Sequence, residues 1–241
     1  MTQVSVIIPF RAGSKTVPGK NLRRVAGRIL WEWSLSAAWN SMQTKRIVVT
    51  TDCDPVMATP AMYFAEQKVE YVRRPPELAT DDASLDDAII HAIDEVGLDD
   101  EDIVVLLQPT VPVRRPGLVD DCVRCFQSFP AAKSLVTANK LHYVWAGDAG
   151  MLVNPPRVNR QAMESGQLLF EEDGSVFVVR AGDLRRTRNR IIDPVILIET
   201  ERTIDIDTER DMEFAEFLLQ RQMDERDTRE ASDSNTRVAS P

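Results

Sequence analysis

Strand-like runs recur along this chain at residues 4–10, 46–51, 69–73, 103–108 and 134–138, with helix-like stretches between them at about 29–42, 54–67, 83–96 and 117–128. Parallel neighbours in a sheet need a long crossover, which a helix supplies, so strict alternation of the two patterns selects a mainly parallel sheet with helices on both faces. The strand runs agree with this. Val4, Val6, Ile7 and Ile8 form a nearly continuous β-branched stretch, as expected of a strand covered on both sides. GSVFVVR and VILIETE add two later strands, and DIDTERDMEFAEFLLQRQM reads as a strand end running into an amphipathic helix. The expectation is a three-layer, Rossmann-like α/β fold. A chain of 241 residues with 43% hydrophobic content accommodates one such domain, here residues 1–222.

Regularity fails from 141 to 173, where Gly147, Gly150, Asn154, Pro155 and Pro156 break the pattern, so this stretch reads as an insertion or a surface excursion. Residues 223–241 are polar, too poor in apolar side chains to order themselves, and read as a disordered tail. Trp31, Trp33 and Trp39 sit among Leu30, Leu35 and Ala38 at helical spacing and read as core or subunit contact.

The first strand empties into FRAGSKTVPGKN, a loop with Arg11, Ser14, Lys15, Lys20 and Asn21 at the carboxyl end of a strand, where open α/β sheets bind ligands. Three cations beside Gly13 and Gly19 suit a polyphosphate, and a solvated basic turn is the competing reading for the loop alone. The loop is neither a P-loop nor GxGxxG: five residues separate Gly13 from Gly19, and Asn21 follows Lys20. Far downstream, Asp205 and Asp207 alternate in TIDID, so a period of two turns both carboxylates to one side. Such a pair suits a hard divalent cation such as Mg²⁺ shared with nucleotide phosphates, although Asp207 alone could instead cap the following helix. Asp211 reads as a supporting or helix-face acid.

Composition narrows the ligand. A formal net charge of −9 argues against a nucleic-acid surface, so the basic loop is a local exception suited to a small anion. No apolar run approaches a membrane span and no leader pattern opens the chain, so a cytoplasmic location without a membrane partner is expected. Cys53, Cys122 and Cys125 make no disulfide framework; the CxxC of Cys122 and Cys125 lies in a helical pattern facing the core, and His91 sits among isoleucines.

Five ordered segments over roughly residues 4–220 carry a resemblance to the acylneuraminate cytidylyltransferases, which activate nine-carbon sugar acids as CMP esters. They are the basic loop; Arg74-Pro75-Pro76-Glu77-Leu78-Ala79 with Asp81, Ala83 and Ser84; Leu107-Gln108-Pro109-Thr110 with Pro112 and Arg114; Arg160-Gln161 with a later aromatic and Gly; and Ile204-Asp205-Ile206-Asp207 with Asp211. The resemblance implies a nucleotidyltransferase fold of GT-A-like type and a homodimer in which the insertion pairs with a second subunit. It also implies Mg²⁺-dependent transfer of CMP from CTP to a sugar acid. Arg11, Lys15, Lys20 and Asp207 would be catalytic, with Asp205 and Asp207 as metal ligands. Ser14, Asn21, Arg74 and Ser84 would complete the nucleotide site, and Gln108, Arg160, Gln161 and Phe170 would meet the acid.

Departures from the family pattern bear on the acceptor. Phe10 stands for the usual Ala, Leu85 for a second Ser, Val111 and Val113 for Ser and Leu, and Phe170 and Asp173 for Tyr and Asn. Other acceptors therefore stand beside the nonulosonic acids, among them an ulosonic acid or a small phosphonate, and the class opposed to all of these is a noncatalytic nucleotide-binding homologue.

Overall fold

Strand β1 (Val4–Pro9) is buried along its whole length, and its alternating side chains serve two different cores. Val4, Val6 and Ile8 pack with Trp31, Leu35, Val123 and Phe126, while Ile7 packs with Ile89, Ile93 and Leu184 on the other face. This double burial accounts for the nearly continuous apolar run in the sequence. The computed structural model describes residues 2–58, 68–141, 144–146, 151–152 and 168–238.

After β1 come β2 (Arg24–Val25), β3 (Arg28–Ile29), α1 (Leu30–Trp39), β4 (Arg46–Thr51), α2 (Asp54–Ala58) and β5 (Val69–Arg73). The chain continues through α3 (Leu85–Glu95), β6 (Ile103–Leu106), α4 (Leu118–Ser128), β7 (Ser134–Leu141), β8 (Trp145–Ala146) and β9 (Met151–Leu152). It closes with β10 (Leu169–Arg180), α5 (Ala181–Thr187), β11 (Val195–Glu199) and α6 (Glu209–Val238), and short 3₁₀ turns stand at Lys20–Leu22 and Pro76–Leu78. Seven strands form one sheet in the order β11-β7-β10-β6-β1-β4-β5. All its pairings are parallel except those of β10, which runs antiparallel to both β6 and β7. The sheet is therefore mainly parallel, with α1 and α4 on one face and α3 and α5 on the other, as expected.

Strand β1 leads to β4 and β5 on one side, and the chain then jumps back to β6 on the other. That reversal opens a crevice at the carboxyl ends of β1 and β6, the place where such sheets bind ligands.

Two sequence readings change. The TIDID segment forms no strand: among the described residues its one backbone tie to another segment as a donor is Ile206 N–H to the Thr110 carbonyl at 2.9 Å. Alternation survives nonetheless, with Ile206 fully buried between exposed Asp205 and Asp207. The segment expected to be disordered from 223 continues as α6 to Val238. Met212, Ala215 and Leu219 anchor the first turns of α6, and a helix once nucleated is extended at little cost by polar pairs such as Arg221 with Glu225 at 3.0 Å. The irregular stretch proves to leave and rejoin the sheet between paired strands, since Leu141 of β7 lies opposite Leu169 of β10. Within it, β8 and β9 form a short antiparallel ribbon, and residues 59–67 of the expected second helix lie outside the described residues.

A third, smaller core joins the two ends of the chain. Val17 from the basic loop, Val25 and Leu30 pack with Ile206, Met212, Ala215 and Leu219. Val17 and Ile206 are each fully buried, so apolar burial brings the cationic loop and the acidic segment together.

Candidate active site

The crevice holds a cavity of about 480 Å³, of a size suited to a nucleotide-sized ligand. Its wall contains Arg11, Ser14, Lys15, Lys20, Asn21, Arg74, Ser84, Gln108 and Asp207, which come from four separate loops. Four cationic side chains, Arg11, Lys15, Lys20 and Arg74, face two acidic ones, Asp81 and Asp207, so the wall is net positive in a chain that is net negative. Arg160 and Gln161 fall outside the described residues. Asp205 is exposed and Phe170 is half-buried on β10 opposite Lys140; neither contributes to the cavity wall.

The loop geometry follows from a few local ties. Gly19, at φ +64°, turns the chain left-handed into the 3₁₀ turn that starts with Lys20, a conformation costly for any residue with a Cβ. The Ala12 N–H donates to Asp52 Oδ1 at 2.7 Å, and Asn21 Nδ2 donates to the Arg11 carbonyl at 3.1 Å. Lys20 is buried; its Nζ donates to the Ile206 carbonyl and lies 3.5 Å from Asp207 Oδ1. One ammonium therefore ties the first loop to the acidic segment 186 residues away.

Asp207 is left available because its neighbours do the capping. Thr208 Oγ1 accepts from the Asp211 N–H at 3.2 Å, while Asp211 Oδ2 accepts from the Thr208 N–H at 2.8 Å, a reciprocal capping box at the start of α6. Asp211 Oδ2 also accepts from the Asp207 N–H at 3.1 Å, which steadies the backbone that carries the carboxylate. The hydroxyl and amide bonds of this cap hold the Asp211 carboxyl below the usual range. The side chain of Asp207 is 72% exposed, with Lys20 beside it. Hard carboxylate oxygen suits Mg²⁺, but no cluster of three His, Cys, Asp or Glu stands ready among the described residues, so the fit requires phosphate oxygens in the same shell.

Arg74 is buried, with Nη2 donating to the Thr50 carbonyl at 3.2 Å. Burial pushes its guanidinium down to about 10 against the pull of Asp52, with Arg11 adding to the push, and it stays protonated at neutral pH. Arg74 Nε and Asn21 Oδ1, both buried, have no hydrogen-bond partner among the described residues. Ser84 occupies the N-cap position of α3, yet its hydroxyl makes no capping bond.

Gln108 is placed from behind by a buried polar network. Arg114 donates through Nη2 to the Gln108 carbonyl at 2.7 Å, through Nη1 to Ser34 Oγ at 3.0 Å and through Nε to the Ser175 carbonyl at 2.9 Å. Full burial pushes the Arg114 guanidinium down to about 9, offset by nearby Asp173. Gly174, in left-handed backbone at φ +71°, lies against this group: a Cβ there would overlap Gln108 Oε1 and come within 3.0 Å of Val111 Cγ2.

The departures from the family pattern are mostly internal packing. The Phe10 ring stacks on Trp31 at 5.4 Å between centroids, and the residue also contributes to the wall. Val111 is fully buried, Val113 packs on the third core, and Asp173 is buried with its carboxylate accepting from Thr137 Oγ1 at 2.5 Å and from the Ser175 N–H at 2.8 Å. Of the six substituted positions, Phe10 and Leu85 alone line the cavity.

Sequence reasoning assigned no role to Asp81, whose two carboxylate oxygens pair with Arg11 and Lys15. Bonds from Lys15 and then Arg11 hold its carboxyl below the usual range. The available signal was an acid within a segment otherwise read for its Arg and Ser.

A family profile described as cytidylyltransferase matches residues 5–143, more than half of the chain. The chain is 28% identical over 227 residues to a CMP-N,N'-diacetyllegionaminic acid synthase of Legionella pneumophila, covering 90% of this chain and 97% of that protein. It is 25% identical over 236 residues to an N-acylneuraminate cytidylyltransferase of Escherichia coli, covering 91% of this chain and 53% of that longer protein. In fold it resembles a CMP:2-keto-3-deoxy-manno-octonic acid synthetase solved with CTP, at a TM-score of 0.69 and 17% identity over 92% of this chain and all of that one. Sheet order, cavity position and these matches agree: the chain belongs to the cytidylyltransferase family and is a nucleotidyltransferase.

Proposed function

We propose that the chain transfers CMP from CTP to a sugar acid, a nonulosonic acid such as an N-acylneuraminate or a relative, and releases pyrophosphate with Mg²⁺ present. The observation that carries this reading is the shared cavity, whose wall combines Arg11, Lys15 and Lys20 with Asp207, Asn21, Arg74 and Ser84. A hydroxyl oxygen of the acid attacks the α-phosphorus of CTP, a new phosphorus–oxygen bond forms, and the bond to the bridging α–β oxygen breaks with pyrophosphate leaving. Such a displacement needs alignment and charge neutralisation more than a covalent nucleophile. Arg11, Lys15 and Lys20 bind the triphosphate and take up charge growing on the leaving group. Asp207, together with phosphate oxygens, would hold Mg²⁺, which supplies positive charge at the α-phosphate; Asp205, outside the cavity wall, would reach the ion only from its edge. The hydroxyl proton is released to solvent.

The cytidylyltransferase profile and the names of the relatives support CTP as the nucleotide. The names of the relatives support a sugar acid as the acceptor, and the excursion between β7 and β10 supports a homodimer built on it. The test is pyrophosphate release with CTP or UTP against a panel of nonulosonic acids, ulosonic acids and small phosphonates, with and without Mg²⁺. Release with CTP, Mg²⁺ and one nonulosonic acid is expected. CTP binding without release for any acid would favour a noncatalytic nucleotide binder.

The packing behind Gln108 gives a separate expectation. In Gly174→Ala the new methyl displaces the Gln108 amide, so the KM for the acid should rise about tenfold, ~1.4 kcal/mol, while CTP affinity holds. Steady-state kinetics with each substrate varied in turn checks the split. The left-handed backbone adds a stability cost of ~1–2 kcal/mol, which thermal unfolding would register.

A further inference from the structure

We infer that Asp81 is a built-in counter-ion for the phosphate cradle, occupying Arg11 and Lys15 when no nucleotide is bound and competing with pyrophosphate for them after transfer. This rests on the polyphosphate reading of the cavity. Both oxygens of one carboxylate are engaged, Oδ1 by the Arg11 guanidinium and Oδ2 by the Lys15 ammonium, and all three residues line the cavity. Asp81 comes from the turn between β5 and α3, whereas its partners come from the loop after β1, so the pairing joins two separate loops of the site rather than stabilising one local turn. Lys20, by contrast, is directed to Ile206 and Asp207, which leaves Arg11 and Lys15 as the cations that Asp81 controls.

The chemistry gives this arrangement a purpose. Pyrophosphate carries the same charged groups as the β and γ positions of CTP, so cations that hold one hold the other. Binding both equally tightly adds nothing to the chemical step and would trap the product. A carboxylate that re-engages the same cations offsets part of that attraction, uniformly for every polyphosphate. Arg11 and Asp81 are partly exposed and Lys15 largely so, so the competition is screened by salt. No bond is made or broken in this exchange.

Asp81→Asn keeps the shape and removes the charge. Pyrophosphate should then bind about tenfold more tightly, as removal of a like charge from an anion site predicts, and kcat should fall as release slows. Titration calorimetry with pyrophosphate and with CTP, together with the product-inhibition constant, reads this directly. A gain in affinity cannot come from a damaged fold, and Asp81→Glu, which restores the charge, should return pyrophosphate affinity toward that of the unmodified protein. Unchanged or weaker pyrophosphate binding in Asp81→Asn, with the unmodified protein binding normally, would overturn the counter-ion role alone. Failure of the unmodified protein to bind either CTP or pyrophosphate would overturn the polyphosphate reading, and this inference with it.

Discussion

Lys20→Ala is expected to lower CMP transfer by about 10²–10³-fold, ~2.7–4 kcal/mol, the usual cost of removing one preorganised donor from a developing negative charge. Two independent losses combine in that variant. The buried ammonium no longer faces the phosphates, and the Ile206 carbonyl, which it holds, loses its donor. An unpaired buried carbonyl costs ~1–3 kcal/mol, so the melting temperature should fall by a few degrees, at about 2–4 °C per kcal/mol for a chain of this length. Turnover measured at saturating substrate, beside thermal unfolding and CTP titration, separates the two. A folded variant with near-normal turnover would remove Lys20 from the chemistry and leave it as a tie between loops.

Asp207→Ala is expected to lower turnover at least as far, about 10²-fold or more by the same electrostatic reasoning, but without a matching loss of stability. The difference lies in exposure: the Asp207 side chain is largely open to solvent, and the start of α6 is capped by Thr208 and Asp211 instead. Asp207→Asn should behave similarly in turnover, since the amide keeps the shape and loses the charge. Pyrophosphate release followed across a Mg²⁺ titration is the informative readout. The unmodified protein should saturate, whereas either variant should need far more Mg²⁺ or fail to respond. A normal Mg²⁺ response in Asp207→Asn would remove the carboxylate from the metal site.

Much of this arrangement was legible in the residues because burial on both faces leaves a strong mark. β1 and β6 announce themselves as nearly continuous apolar runs, and the loop after β1 announces its cations. The spacing of Asp205 and Asp207 also gave the correct alternation around buried Ile206, yet wrongly implied a strand, because among the described residues no neighbouring strand runs alongside to complete a ladder. Polar context was harder to read. Nothing in the sequence shows that Asp173 is buried against Thr137 or that Asp81 lies across from Arg11 and Lys15, since both contacts join segments distant in the chain. The substitutions at Val111 and Val113 looked like changes at the acceptor side and proved to be core packing, which only three-dimensional neighbours reveal. Helix α6 beyond 223 was missed because composition reports the lack of a core and not the momentum of a helix already anchored at Met212, Ala215 and Leu219.

The most direct test of the whole account is a crystal structure of the protein with CTP and Mg²⁺. It should show the triphosphate within hydrogen-bond reach of Arg11, Lys15 and Lys20, with Asp207 facing the α-phosphate and Asp81 released from its two cations. A nucleotide seated outside this cavity, or one whose phosphates touch the first loop while Asp207 remains remote from them, would contradict it.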